Sequence, residues 1–291
     1  MEDAMSIKTI LVPLAGVPSD RQLLDLALAA AKPSSAHILA QFTRPDPRAM
    51  LTYVSGLDAD AYSMQRIMDE IEADGIAAAK RGCETFDHWC AKNDLSIVKK
   101  PDAASQMTAG WIERVGRTDE MITRAGGTAD LIVLPGAGLG TRDQAELEAA
   151  LFATGRPVLL APGAPTTDLF SSAIVAWNGS PESNRAVASA LPFLSRCGRV
   201  GVFCEGEAKR TEVSADDLVT YLAWHGITAA RVPAGASRGS MAEKLFEAAL
   251  QVQASLIVMG AYTHGRVRQM VFGGVTSHVL NHATIPVLLT H

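Results

Sequence analysis

At 291 residues the chain holds two domains of ordinary size. Hydrophobic residues at 48% and charged residues at 20% are the proportions of a packed globular protein, and no apolar run approaches the ~20 residues that cross a bilayer, which excludes a membrane-spanning role. The net charge of −5 resolves into −6 over residues 1–162 and +1 over the rest; neither half has the basic face that phosphate backbones require, which argues against a nucleic-acid partner.

The chain starts with a short acidic segment, Met1 to Ser6, with neither a basic start nor an apolar signal core, so a cytoplasmic location is expected. Leu11-Val12-Pro13-Leu14-Ala15-Gly16-Val17-Pro18 is an apolar run closed by Gly-x-Pro and followed by an Ala/Leu-rich amphipathic stretch, a strand leading into a helix. His37-Ile38-Leu39 lies inside the next strand. Arg44 to about Leu57 is punctuated by Pro and Gly, and residues 60–92 read as one long inserted helix with Met64, Met68, Ile71 and Ile76 on its apolar side. That stripe either covers the sheet or presents a Met-rich surface to a ligand or partner. Cys83 and Cys90 are seven residues apart, about two turns along one face. With no Cys-x-x-Cys in the chain, they, Cys197 and Cys204 read as buried thiols and not as a zinc or redox site. Ala129–Leu134 is a further strand, Pro135-Gly136-Ala137-Gly138-Leu139-Gly140 a glycine-rich turn, and Pro157-Val158-Leu159-Leu160 a last strand before the short linker Gly163-Ala164-Pro165-Thr166-Thr167.

Beyond the linker the pattern returns. Ile174-Val175-Ala176-Trp177-Asn178-Gly179-Ser180-Pro181 matches the first run, Ala254–Met259 matches Ala129–Leu134, and Pro286-Val287-Leu288-Leu289 matches Pro157–Leu160. A period this long is domain duplication, not a small-repeat array. Each copy reads as five short apolar strands alternating with helices; in the second they fall near 172–177, 199–204, 228–233, 255–259 and 285–290. Consecutive apolar positions between helical patterns predict two tandem α/β domains, 1–162 and 170–291, each a doubly wound five-stranded parallel sheet of Rossmann-like type. Ser180 with Pro181 marks one helix start and Ser240-Met241-Ala242-Glu243 is a capping box. In such sheets ligands lie beyond the carboxyl ends of the strands.

The chemistry concentrates after the fourth strand of the second copy. Met259-Gly260-Ala261-Tyr262-Thr263-His264-Gly265-Arg266 leads to Phe272-Gly273-Gly274-Val275-Thr276, a glycine loop closed by a glycine pair that opens a helix. Glycine lets backbone N–H groups approach a ligand, and a helix N-terminus adds partial positive charge: the elements of a phosphate cradle.

This segment resembles the nucleotide loop of the universal stress protein family, in which Gly-x-x-Gly is followed nine residues later by Gly-Ser/Thr. Gly260 and Gly273 match its first and third glycines, and Val275 and Thr276 the residues that follow. The resemblance extends over both copies and implies the tandem form of the family. It implies a non-enzymatic stress-response protein whose second copy binds an adenine nucleotide, ATP, through Ala176, Asn178, Met259, Gly260, His264, Gly265, Gly273, Gly274, Val275 and Thr276. It also implies an intramolecular pseudo-dimer through the strands at Pro157–Ala161 and Pro286–Thr290, with further homodimerisation open. Three positions depart from the family pattern: Thr263 stands for the second glycine, Gly274 for the Ser/Thr, and Asn178 for the usual Asp at the end of the first strand, where the first copy has Ala15. A duplicated scaffold or small-ligand-binding protein that has lost nucleotide binding is therefore the alternative. The first copy lacks the motif spacing and is expected to bind no nucleotide.

Other signals are weaker. Gly260-x4-Gly265-Arg266-Val267 has neither the Lys nor the Ser/Thr of a Walker A loop. His278 and His282 have metal-ligand spacing without a third ligand, and the helix C-terminus accounts for His282. Asn178-Gly179-Ser180-Pro181-Glu182 is not a Gly-x-Ser-x-Gly elbow. No catalytic residue is assigned.

Overall fold

The computed structural model describes residues 6–48, 61–100, 106–137, 139, 144–165, 168–205, 213–233, 239–261 and 274–291. They form two compact units, Lys8–Val133 with Asp143–Thr154, and Leu134–Arg142 with Gly155–His291 and the residues up to Ile7.

The first unit runs β1 (Thr9–Leu14), α1 (Asp20–Ala31), a 3-10 turn (Lys32–Ser34), β2 (His37–Arg44), α2 (Ala61–Lys92), β3 (Ser96–Ile97), β4 (Thr108–Val115), α3 (Thr118–Gly126), β5 (Leu131–Pro135) and α4 (Gln144–Glu148), which continues into a π turn at Ala149–Ala153. Its strands lie in the order β3-β4-β2-β1-β5, all parallel. Helices on both faces are why Ile10, Leu11 and Val12 are all buried although they point alternately to opposite sides. β3 is a two-residue edge strand the sequence pattern does not signal; its short length limits exposed backbone at the edge.

The long helix is present as expected and divides its work. Phe86 and Trp89 in its second half are buried, Phe86 packs against Trp111, and Trp89 Nε1 donates to Asp25 of α1 at 2.8 Å. In its first half Tyr62 and Ile76 are exposed, while Met64, Met68 and Ile71 are half-buried. Mid-helix, α2 crosses the end of β1: a Cβ on Gly16 would lie 2.4 Å from the carbonyl oxygen of Ala78.

The second unit contains β6 (Val158–Ala161), β7 (Ser172–Ala176), α5 (Pro181–Leu194), β8 (Arg199–Phe203), α6 (Ala215–Trp224), β9 (Ala229–Val232), α7 (Met241–Gln251), β10 (Leu256–Gly260), α8 (Gly274–His282) and β11 (Val287–Thr290). The parallel order β11-β10-β7-β8-β9 places the first strand of the repeat at the centre, with the chain winding outward both ways. β6, the last strand of the first copy by sequence, is built into this unit. It pairs antiparallel with β11 in the register Val287↔Leu160, Leu288↔Leu159, Leu289↔Val158. Val158 and Leu160 correspond in the repeat to Val287 and Leu289, so the pairing is self-complementary: each residue meets the equivalent of its own partner. It also covers an apolar strand edge that would otherwise be open. Among the described residues no helix is long and apolar enough to cross a membrane.

Of the four cysteines expected to be buried, Cys90 is, and Cys83, Cys197 and Cys204 are half-buried. All four cysteines are free, and burial pushes the thiols of Cys90 and Cys197 up to about 12.

Candidate functional site

Order reversal around β7 opens a crevice at the carboxyl ends of the central strands. β7 ends at Ala176, and Trp177 is anchored by its backbone N–H to Phe203 O at 2.8 Å and by its indole N–H to Val213 O at 3.0 Å. The chain then turns through Gly179, whose φ of 70° a side chain would strain. Ser180 caps α5, its hydroxyl accepting from Ser183 N at 3.2 Å. The matching turn of the first copy has the same shape, Gly16 at φ 72°, so the Gly-x-Pro repeat marks a shared backbone device.

β10 enters from the other side. Gly260 has no room for a side chain: a Cβ would sit 2.7 Å from Glu182 C and Ser183 N in the first turn of α5. Gly274, the first residue of α8, has none of the described residues within 4 Å of the place its Cβ would take. Above these ends α7 supplies a wall. Its N-terminus carries the expected capping box, Ser240 Oγ accepting from Glu243 N at 3.3 Å and Glu243 Oε2 accepting from Ser240 N at 2.6 Å. Those bonds to Ser240 hold the Glu243 carboxyl below its usual range.

Together these elements enclose a cavity of about 170 Å³. Six sequence-predicted residues line it: Ala176, Asn178, Met259, Gly260, Val275 and Thr276. Gly274 is adjacent, at the start of the same helix, and Thr276 is buried. Thr263, His264, Gly265 and Gly273 lie outside the described residues. The remaining lining, Trp177, Ser180, Phe203, Glu205, Met241 and Leu245, was assigned no ligand contact from the sequence. Phe203 and Glu205 had a usable signal, because the end of the second strand flanks the crevice in this topology. Met241 and Leu245 had none, since a helix residue's facing depends on how its helix docks.

Asn178 is turned locally, its Oδ1 accepting from Ser180 N at 3.1 Å, an Asx turn that uses the oxygen a ligand would need. In the first copy the equivalent turn holds an internal anion. Ala15, Gly16 and Val17 donate their backbone N–H groups to the Asp20 carboxylate at 3.1, 2.7 and 3.2 Å. Asp20 is 1% exposed, and burial raises its pKa against the effect of those three bonds. It aligns with Ser183, whose hydroxyl donates to Ser180 O instead. Asp20 is not among the residues singled out from the sequence.

The His278 and His282 rings stack at 4.2 Å, His282 Nδ1 bonds to His278 O at 2.9 Å, and among the described residues no three potential metal ligands cluster. The arrangement offers an apolar slot, a helix N-terminus and a few polar groups, and suits binding a small polar ligand.

Residues 207–291 match the model of the Universal stress protein family. A universal stress protein from Archaeoglobus fulgidus DSM 4304 superposes with a TM-score of 0.66 at 16% identity, covering 97% of this chain and 97% of that one. A putative universal stress protein from Pseudomonas aeruginosa UCBPP-PA14 gives 0.57 at 14%, covering 99% and 95%. A functionally unknown protein from Pseudomonas aeruginosa PAO1 gives 0.53 at 14%, covering 98% and 93%. No curated protein matches the chain. The C-terminal region thus matches the universal stress protein family in sequence, and the chain shares its two-copy fold along its length with these solved structures.

Proposed function

We propose that the second copy, 170–291, binds an adenine nucleotide, with ATP as the reference ligand, and that the protein acts in stress response without catalysing a reaction, its occupancy altering contacts with a partner in the cytoplasm. The observation that carries this is the cavity, which gathers the ends of β7, β8 and β10 with the first turn of α8 and contains six residues chosen from sequence. Phosphates would lie at the α8 N-terminus near Gly273, Gly274 and Thr276, where unpaired N–H groups and the helix dipole favour an anion by about 0.3–1 kcal/mol. Thr276 would supply a hydroxyl in place of the one lost at Gly274. His264 and Gly265 complete the loop in this reading.

The first copy, 1–162, is assigned no nucleotide. Asp20 already satisfies the turn after β1, and a ligand anion there would face a buried carboxyl group. Its role is the scaffold of an intramolecular pseudo-dimer, a reading supported by the self-complementary register of β6 with β11.

Isothermal titration of ATP against the full chain is the test, together with analysis of nucleotide copurifying with the native protein. Saturable binding, tightened in Asn178→Asp, is expected. A flat titration with no copurifying nucleotide would sink the reading and leave the scaffold alternative. That alternative has one specific observation in its favour, the Asn178 oxygen committed to Ser180 N.

A further inference from the structure

The cavity has two chemically different ends. At one, β10 gives way to the α8 N-terminus with Val275 and Thr276. At the other, across β7, stand Phe203 at the end of β8 and Met241 and Leu245 of α7. Phe203 and Leu245 are buried apolar groups, so this second end suits a flat, weakly hydrated ring better than a phosphate. One charge sits among them. Glu205, two residues beyond β8, lines the cavity and is held by Lys244 of α7, whose Nζ donates to Glu205 Oε1. The pair is partly shielded, with side-chain exposures of 34% for Glu205 and 18% for Lys244. Among the described residues Oε2 takes no hydrogen bond. A carboxylate is an acceptor only, and this one has its orientation fixed and one oxygen to spare.

We infer that Glu205 is the base-reading residue of this site, its free carboxylate oxygen accepting from the exocyclic amino group of a purine and so selecting a 6-amino over a 6-oxo base. The inference rests on the nucleotide reading above, which puts the phosphates at α8 and hence the base at the β8 end. A 6-oxo purine would bring a carbonyl oxygen against the carboxylate, two acceptors with no proton between them, in a partly desolvated slot. Lys244 is a positioning residue. It neutralises the carboxylate's charge near a polyanionic ligand and prevents it from turning away.

The experiment is calorimetric titration of the full chain with ATP and with ITP, repeated on Glu205→Ala and Lys244→Ala, with circular dichroism confirming that both variants fold. Wild type is expected to bind ATP about tenfold more tightly than ITP, the scale of one charge-assisted hydrogen bond. Glu205→Ala should bring the ratio close to one. Lys244→Ala, which leaves the acceptor in place, should weaken ATP binding while retaining the preference for it. Equal affinities in wild type, or a preference that survives Glu205→Ala, overturns the inference and leaves nucleotide binding standing. No binding of either nucleotide by wild type overturns both.

Discussion

Gly260 and Gly274 are glycines of one short segment at the end of the second copy, yet their surroundings assign them different work. Gly260 is required by packing, because the first turn of α5 leaves no space for a Cβ. Gly260→Ala should therefore cost about 1–3 kcal/mol, the range for overpacking a well-filled site, read as a lower midpoint in urea. Gly274→Ala, with no described residue within 4 Å of its Cβ position, should not lower that midpoint, since alanine also favours the helix. Equal losses at both positions would refute the distinction. Thr290 is a second residue whose character only its surroundings reveal: 4% exposed at the end of β11, its hydroxyl has no hydrogen-bond partner among the described residues. Thr290→Val keeps the shape and removes the orphan, so it should stabilise by about 1 kcal/mol, seen as a raised Tm.

At the scale of elements, helix starts were the most legible feature. The Ser180-Pro181 and Ser240–Glu243 signals both mark observed N-termini because capping is local chemistry, decided by residues three apart. Ser180→Ala should cost about 1 kcal/mol, measured by chemical denaturation. The two caps should part in acid. Glu243 has its pKa depressed on folding, so its contribution is present above the unfolded carboxylate value and is lost as pH falls through the lower, folded one. Ser180 caps with a hydroxyl and does not titrate. Amide exchange at the start of α7 should therefore rise on acidification relative to the start of α5, and parallel behaviour would count against this account. Less legible were the elements made by tertiary contact: β3, two residues long, and the exposed first half of α2, whose apolar residues read as a core stripe although Ile76 is half exposed.

At the scale of the molecule, the duplication was visible in sequence but its consequence for assembly was only half visible. The two last strands were expected to meet, and β6 does pair with β11; that β6 is thereby built into the second unit came from the structure. Leu159, opposite Leu288 and fully buried, sits at the centre of the pairing. Leu159→Asp would bury an unpaired charge there and should destabilise the second unit by several kcal/mol. Hydrogen exchange should then rise in β11 and β10 while β1 and β2 stay protected. Unchanged protection in β11 would show that the pairing does not stabilise this unit.

The amino-acid sequence by itself determined the two-copy plan, the parallel sheets, the strand ends and the caps. Those features depend on periodicity, turn chemistry and motif spacing, all carried by residues close together in the chain. Only the tertiary structure decided that Asp20 fills the first turn, that Gly260 is held by α5, and that Phe203, Glu205, Met241 and Leu245 complete the cavity. Each of those depends on which faces of distant helices and strands come together, and packing across the sheet settles that where local preference cannot.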